Sequence, residues 1–83
     1  MQDVKDPVYL KKLGNHIREL RKAKGLTQLD LAVKINNFAE YVGKIERGEV
    51  NATVCMLKTV TIGLEISMSQ LFDFDDQPEK RAD

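Results

Sequence analysis

The sequence predicts an all-α protein, a compact bundle of five helices, and three observations lead there. Apolar residues recur at spacings of three and four, residues that cap helices stand just ahead of each run, and the links between runs span two to six residues. The first helix starts at Asp6-Pro7, where Asp6 can cap and the missing N–H of Pro7 costs nothing. Leu10, Leu13, Ile17 and Leu20 form its buried stripe, and Lys11, Lys12, Arg18, Arg21 and Lys22 its outer face. Lys24-Gly25 closes it, with glycine free to turn left-handed.

Thr27 opens the second helix, and Asp30 completes a capping box. This short helix runs from Gln28 to about Ile35 and turns Leu31, Ala32 and Ile35 inward. Asn36-Asn37 signals a turn, because asparagine tolerates the left-handed region and its side chain mimics a turn. Asn37 is placed to cap a third helix, Phe38 to Arg47, with Val42, Ile45 and part of Tyr41 inward. Thr53 caps a fourth helix with Val54, Leu57, Val60, Thr61 and Leu64 facing the core. The β-branched run Val60-Thr61-Ile62 makes a strand the local competitor, but the spacing favours a helix. Ser67 and Gln70 form a second capping box, opening a short fifth helix that includes Leu71 and Phe72.

The totals bound the rest. Eighty-three residues make one domain with one modest core. The chain is 42% hydrophobic and 31% charged, an ordinary globular composition. It contains no apolar run near the ~20 residues of a membrane span, and its first residues lack the order of a signal peptide. Cys55 is the only cysteine, so an internal disulfide is impossible and a small residue in a reducing cytoplasm is the expected reading. No metal or other cofactor is expected, and His16, the lone histidine, reads as a solvated surface residue without catalytic partners. The net charge of zero conceals an asymmetry. Tyr9 to Val50 holds nine Lys/Arg against five Asp/Glu, and Asp73 to Asp83 holds five acids against two bases. Residues 1–6 are read as an N-terminal extension, 7–74 as the folded domain and 75–83 as an acidic, flexible tail.

Two short helices joined by about three residues have the spacing of a helix-turn-helix. The residues there are Leu26-Thr27-Gln28, Leu31-Ala32, Val42, Ile45-Glu46-Arg47-Gly48 and Asn51, followed by Leu57, Leu64, Ser67 and Leu71-Phe72. Together with Ile17-Arg18-Glu19-Leu20-Arg21 upstream, this ordered set resembles the Cro/phage-repressor type of helix-turn-helix domain, the lambda-repressor-like superfamily. The resemblance implies a non-enzymatic, sequence-specific DNA-binding regulator whose third helix enters the major groove of a two-fold operator. It places Phe38, Ala39, Glu40, Gly43 and Lys44 at the base edges, and Thr27, Gln28, Arg47 and Asn51 at backbone phosphates. It also implies an ion pair between Arg21 and Glu46 that orients the recognition helix.

This chain departs from the family's pattern at the turn, where Asn36, Asn37 and Phe38 replace the usual glycine, aliphatic residue and capping serine. Two arrangements are open: the cap moves to Asn37, or Phe38 folds back into the vacated space. Leu29 is expected to be exposed where relatives are commonly acidic. Gly43 lowers the helix propensity of the third helix and leaves its backbone open to close approach. The apolar group Ile66, Met68, Leu71, Phe72 and Phe74 divides between core completion and the interface of a homodimer, for which Ile66, Met68, Leu71 and Phe72 are the candidates. A second function is also open: an antitoxin that uses the acidic tail and Leu29 to bind a toxin protein while still binding DNA.

Overall fold

Four of the helices open where a side chain takes over N–H groups that the first turn leaves without partners. In the computed structural model, which describes residues 4–75, Asp6 accepts from the Tyr9 N–H at 3.0 Å at the head of α1 (Pro7–Ala23). Thr27 and Asp30 form the reciprocal capping box of α2 (Gln28–Lys34), with bonds of 3.0 and 2.9 Å. Thr53 accepts from the Met56 N–H at 3.1 Å and starts α4 (Val54–Leu64), and Ser67 with Gln70 boxes α5 (Met68–Leu71). The exception is α3 (Ala39–Glu46), whose N-cap Phe38 has no side-chain acceptor. Val60-Thr61-Ile62 is helical, so neighbouring packing outweighs its β preference.

The four longer helices end alike. One residue turns left-handed, and two bonds run back from it and its successor to the carbonyls three and five residues earlier. The left-handed residues are Gly25, Asn36, Gly48 and Glu65, with φ of 72°, 54°, 74° and 58°. The paired bonds run, for α3, from Gly48 to Ile45 at 3.0 Å and from Glu49 to Lys44 at 2.9 Å. Three of these stops are legible as glycine or asparagine, whereas Glu65 is not.

The core joins Leu13 and Ile17 of α1, Leu31, Ala32 and Ile35 around α2, Val42 and Ile45 of α3, Leu57, Val60 and Leu64 of α4, and Leu71 of α5. Ala32 has no exposure at all, as expected of a small residue where two motif helices cross. Two glycines allow closer approaches still. A Cβ on Gly14 would strike the carbonyl oxygens of Ile45 and Glu46, so α1 and α3 touch backbone to backbone. A Cβ on Gly63 would meet Ile35 at 2.9 Å and Leu31 at 3.1 Å, where α4 lies on α2.

Four expectations need correction here. Val54 is 72% exposed, and Ala52 and Met56 pack against that end of the core instead. Arg21 is buried, not on the outer face, because it is drawn to Glu46. Leu71 is fully buried within the monomer and cannot serve a dimer interface. His16 is not merely solvated: its Nε2–H donates to the Gln70 carbonyl at 2.9 Å, and its ring lies 5.4 Å from that of Phe74. Phe74 also lies 5.6 Å from Tyr9, so the residues after α5 fold back on α1. The extension is described only from Val4, and the expected acidic tail lies outside the described residues beyond Asp75. Among the described residues no helix is long and apolar enough to cross a membrane, and no cluster of His, Cys, Asp and Glu could hold a metal.

Candidate nucleic-acid interface

The turn between α2 and α3 is built by asparagine chemistry. Asn36 takes the left-handed conformation, and the Asn37 N–H closes on the Ala32 carbonyl at 2.9 Å. This fixes Asn37 one residue too early to cap α3. Its Oδ1 reaches only the adjacent Phe38 N–H, at 2.8 Å. The Phe38 ring is 79% exposed. Neither arrangement open at the sequence level is therefore adopted: the cap has not moved to Asn37, and Phe38 has not folded inward.

The outward side of α3 carries Glu40 and Lys44, both exposed and paired one turn apart at 3.7 Å. Glu40 thus has a partner in Lys44. Asn37, Phe38, Glu40, Tyr41 and Lys44 line a shallow groove. Asn37 is absent from the sequence-derived site, and so is Tyr41. The partly inward position of Tyr41 is legible from helical spacing, which points its ring to the core side and gives no sign of the groove. Ala39 is half-buried, packed against the core cluster.

Behind this face, α1, α2 and α3 converge on one carboxylate. Glu46 accepts from Arg21 Nε at 2.6 Å and Nη2 at 3.0 Å, and from Gln28 Nε2 at 3.1 Å. The third Arg21 nitrogen, Nη1, donates to the Leu26 carbonyl at 2.8 Å. The Glu46 hydrogen bonds outweigh burial and hold the guanidinium above its ordinary pKa, so Arg21 stays cationic. The pair implied by the family resemblance is present, with Gln28 added to it.

Arg18, Arg21, Gln28, Glu46 and Arg47 line a cleft beside this network. Gly43 lies beside two of these side chains. A Cβ there would meet Arg47 Nη1 at 2.9 Å and Gln28 Nε2 at 3.5 Å. Gly43 is buried beside these two side chains, and its lack of a Cβ leaves room for them. Arg18 is the third residue absent from the sequence-derived site. Its basic, exposed position one turn before Arg21 was the available signal. Arg47 and Glu49 form an exposed ion pair at 2.8 Å. Thr27 is exposed at the head of α2, and Asn51 is exposed with its Nδ2–H donating to the Val4 carbonyl at 3.0 Å.

Residues 17–71 match the family model described as helix-turn-helix. The chain belongs to this helix-turn-helix family. Over 62 residues it is 42% identical to the HTH-type transcriptional regulator SlrR of Bacillus subtilis, covering 74% of this chain and 41% of that regulator. It is 36% identical over 62 residues to the control protein C.MunI of Mycoplasma, covering 74% of this chain and 84% of the relative. The helix-turn-helix fold also superimposes on the restriction-modification controller protein C.Esp1396I, solved as a tetramer with its natural 35 base-pair operator. There the TM-score is 0.75 at 37% identity, covering 81% of this chain and 88% of that one. The chain spans about two fifths of the length of SlrR.

Proposed function

We propose that the protein is a transcriptional regulator that binds a two-fold operator in double-stranded DNA as a homodimer, with α3 in the major groove. The observation that carries this is the adjacency of two surfaces. The outward face of α3, bearing Phe38, Glu40 and Lys44, lies next to the cleft lined by Arg18, Gln28 and Arg47. One surface suits base edges and the other suits the phosphate backbone beside them. The belonging of the chain to the helix-turn-helix family supports the same reading.

In this arrangement Glu40 accepts from cytosine N4, Lys44 donates to guanine O6 or N7, and Phe38 or Ala39 contacts a thymine methyl. Each good base contact contributes about 1–3 kcal/mol of discrimination. Thr27, Gln28, Arg47 and Asn51 take backbone phosphates, which set register without reading sequence. The free protein pairs Glu40 with Lys44, so base recognition replaces an exposed ion pair of small worth. With Leu71 withdrawn into the core, the homodimer interface rests on Phe72, 38% exposed, and on the half-buried Ile66 and Met68. The two half-sites would lie one helical turn apart, about 34 Å. The antitoxin alternative rests on Leu29, which is 62% exposed, and on an acidic segment that lies mostly outside the described residues, so the regulator reading is preferred.

Fluorescence anisotropy with the duplex upstream of the protein's own gene, across a salt series, tests the proposal. Specific binding that weakens steeply with salt is expected, because phosphates are being neutralised. Equal affinity for upstream and random-sequence DNA would overturn it. A sedimentation profile that shifts from dimer to monomer in Phe72→Ala would place the interface.

A further inference from the structure

Glu49 is held against Arg47 by the way α3 ends. The left-handed Gly48 reverses the chain, and the Glu49 N–H closes on the Lys44 carbonyl at 2.9 Å. This returns the Glu49 side chain to the residue two positions earlier. Its Oε2 accepts from Arg47 Nε at 2.8 Å and its Oε1 from Nη2 at 3.3 Å. Both side chains are more than half exposed. The carboxylate thereby occupies the side edge of the guanidinium, the edge that matches two oxygens of a carboxylate or a phosphate. Nη1 remains over Gly43, toward Gln28. The hydrogen bonds from Arg47 hold the Glu49 carboxyl below the usual carboxylate range, so it is ionised at neutral pH.

We propose that Glu49 is an internal competitor for the Arg47 guanidinium and so determines how tightly the domain holds DNA of any sequence. The inference rests on Arg47 being a phosphate contact, as in the regulator reading above. A phosphate that takes the Arg47 side edge must displace a carboxylate already seated there. The displaced Glu49 then stands close to the DNA backbone with its own negative charge. This corner of the domain brings one positive and one negative group to the duplex, so the attraction of Arg47 for phosphate is weakened but not abolished. Base contacts from α3 are unaffected, so Glu49 weakens operator and non-operator binding by the same factor. It tempers the electrostatic part of binding, which is the whole of sequence-independent affinity.

The test is a double-mutant cycle of Glu49→Gln and Arg47→Ala. Anisotropy is read on the upstream duplex and on a random-sequence duplex of equal length, each across a salt series. Thermal unfolding of all four proteins confirms the fold, and neither exposed side chain is needed for it. Glu49→Gln is expected to tighten binding to both duplexes by about two- to fivefold, the range typical of exposed ion pairs. The slope of log affinity against log salt should steepen by about 0.9, the value for one further phosphate neutralised. In the Arg47→Ala background the same substitution should tighten binding and steepen the slope clearly less, because only the repulsion of the Glu49 charge is left to relieve. Weaker binding by Glu49→Gln would overturn the proposal, since Glu49 would then be positioning Arg47 for phosphate. Equal tightening in both backgrounds would also overturn it, leaving only long-range repulsion. If Arg47→Ala binds both duplexes as the wild type does, Arg47 is no phosphate contact and the proposal falls while the regulator reading stands. That reading itself falls only if the wild type shows no preference for the upstream duplex.

Discussion

Arg21 of α1 holds both carboxylate oxygens of Glu46 of α3, at 2.6 and 3.0 Å, and the same carboxylate accepts from Gln28 at the start of α2. One anion thus links the three helices that present the candidate DNA surface. A buried pair of this kind adds little net stability over an apolar replacement, yet it is costly to break from one side. We attribute to it the angle of α3 more than the stability of the fold. Arg21→Met should therefore destabilise the protein by about 3–5 kcal/mol in denaturant unfolding, because Glu46 is left unpaired. The double substitution Arg21→Met with Glu46→Leu should recover most of that loss but not the affinity for upstream DNA. A double variant with full affinity would remove the orienting role.

Gly14 carries the contact between α1 and α3. Its Cβ position falls on the carbonyls of Ile45 and Glu46, which are helix backbone and cannot rotate away. Gly14→Ala favours an isolated helix by about 1 kcal/mol, so propensity alone predicts stabilisation. The steric effect is opposite and larger. We expect a net loss of about 1–3 kcal/mol from overpacking, measured by thermal or urea unfolding. A more stable Gly14→Ala protein would show that the two helices can separate at little cost.

Glu65 stands at the left-handed end of α4 with φ of 58°. A non-glycine residue in that region costs about 1–2 kcal/mol; glycine removes this cost, but its larger unfolded-state entropy offsets part of the gain. Glu65→Gly should raise stability by roughly 0.5–1 kcal/mol, leaving DNA binding unchanged. A fall in the unfolding midpoint would contradict this.

Asp30 links stability to pH. The Thr27 backbone N–H donates to its carboxylate, and this bond, followed by the Thr27 side chain, holds its pKa below the ordinary value. A group with a depressed folded-state pKa stabilises the protein fully above its unfolded value and loses that contribution as pH falls through the folded one. The cap of α2 should accordingly weaken on the acid side of the ordinary aspartate range. Asp30→Asn should flatten the stability profile there, as followed by circular dichroism at stepped pH. An unchanged acid limb in Asp30→Asn would show that other carboxylates set it.

Much of the fold was legible in short stretches of sequence. The capping boxes at Thr27–Asp30 and Ser67–Gln70, the Asp6-Pro7 start and the stops at Gly25, Asn36 and Gly48 all involve groups within a few residues of one another. Helical spacing likewise identified most of the core, from Leu13 and Ile17 to Leu64. Val54 was misplaced because periodicity gives a face and not the length of the neighbour that must cover it. Asn37 was misplaced because the left-handed turn at Asn36 set its position relative to α3.

By itself the sequence determined five helices, their caps and the helix-turn-helix spacing, since each depends on local backbone hydrogen bonding and a fixed period. Only the tertiary structure decided the burial of Leu71, the contact at Gly14, the placing of Arg47 and Gln28 beside Gly43, and the gathering of Arg18, Arg21 and Glu46 around one cleft. These depend on how closely separate helices approach. Backbone contact and the sharing of one carboxylate fix that distance, and neither follows from the spacing of residues along the chain.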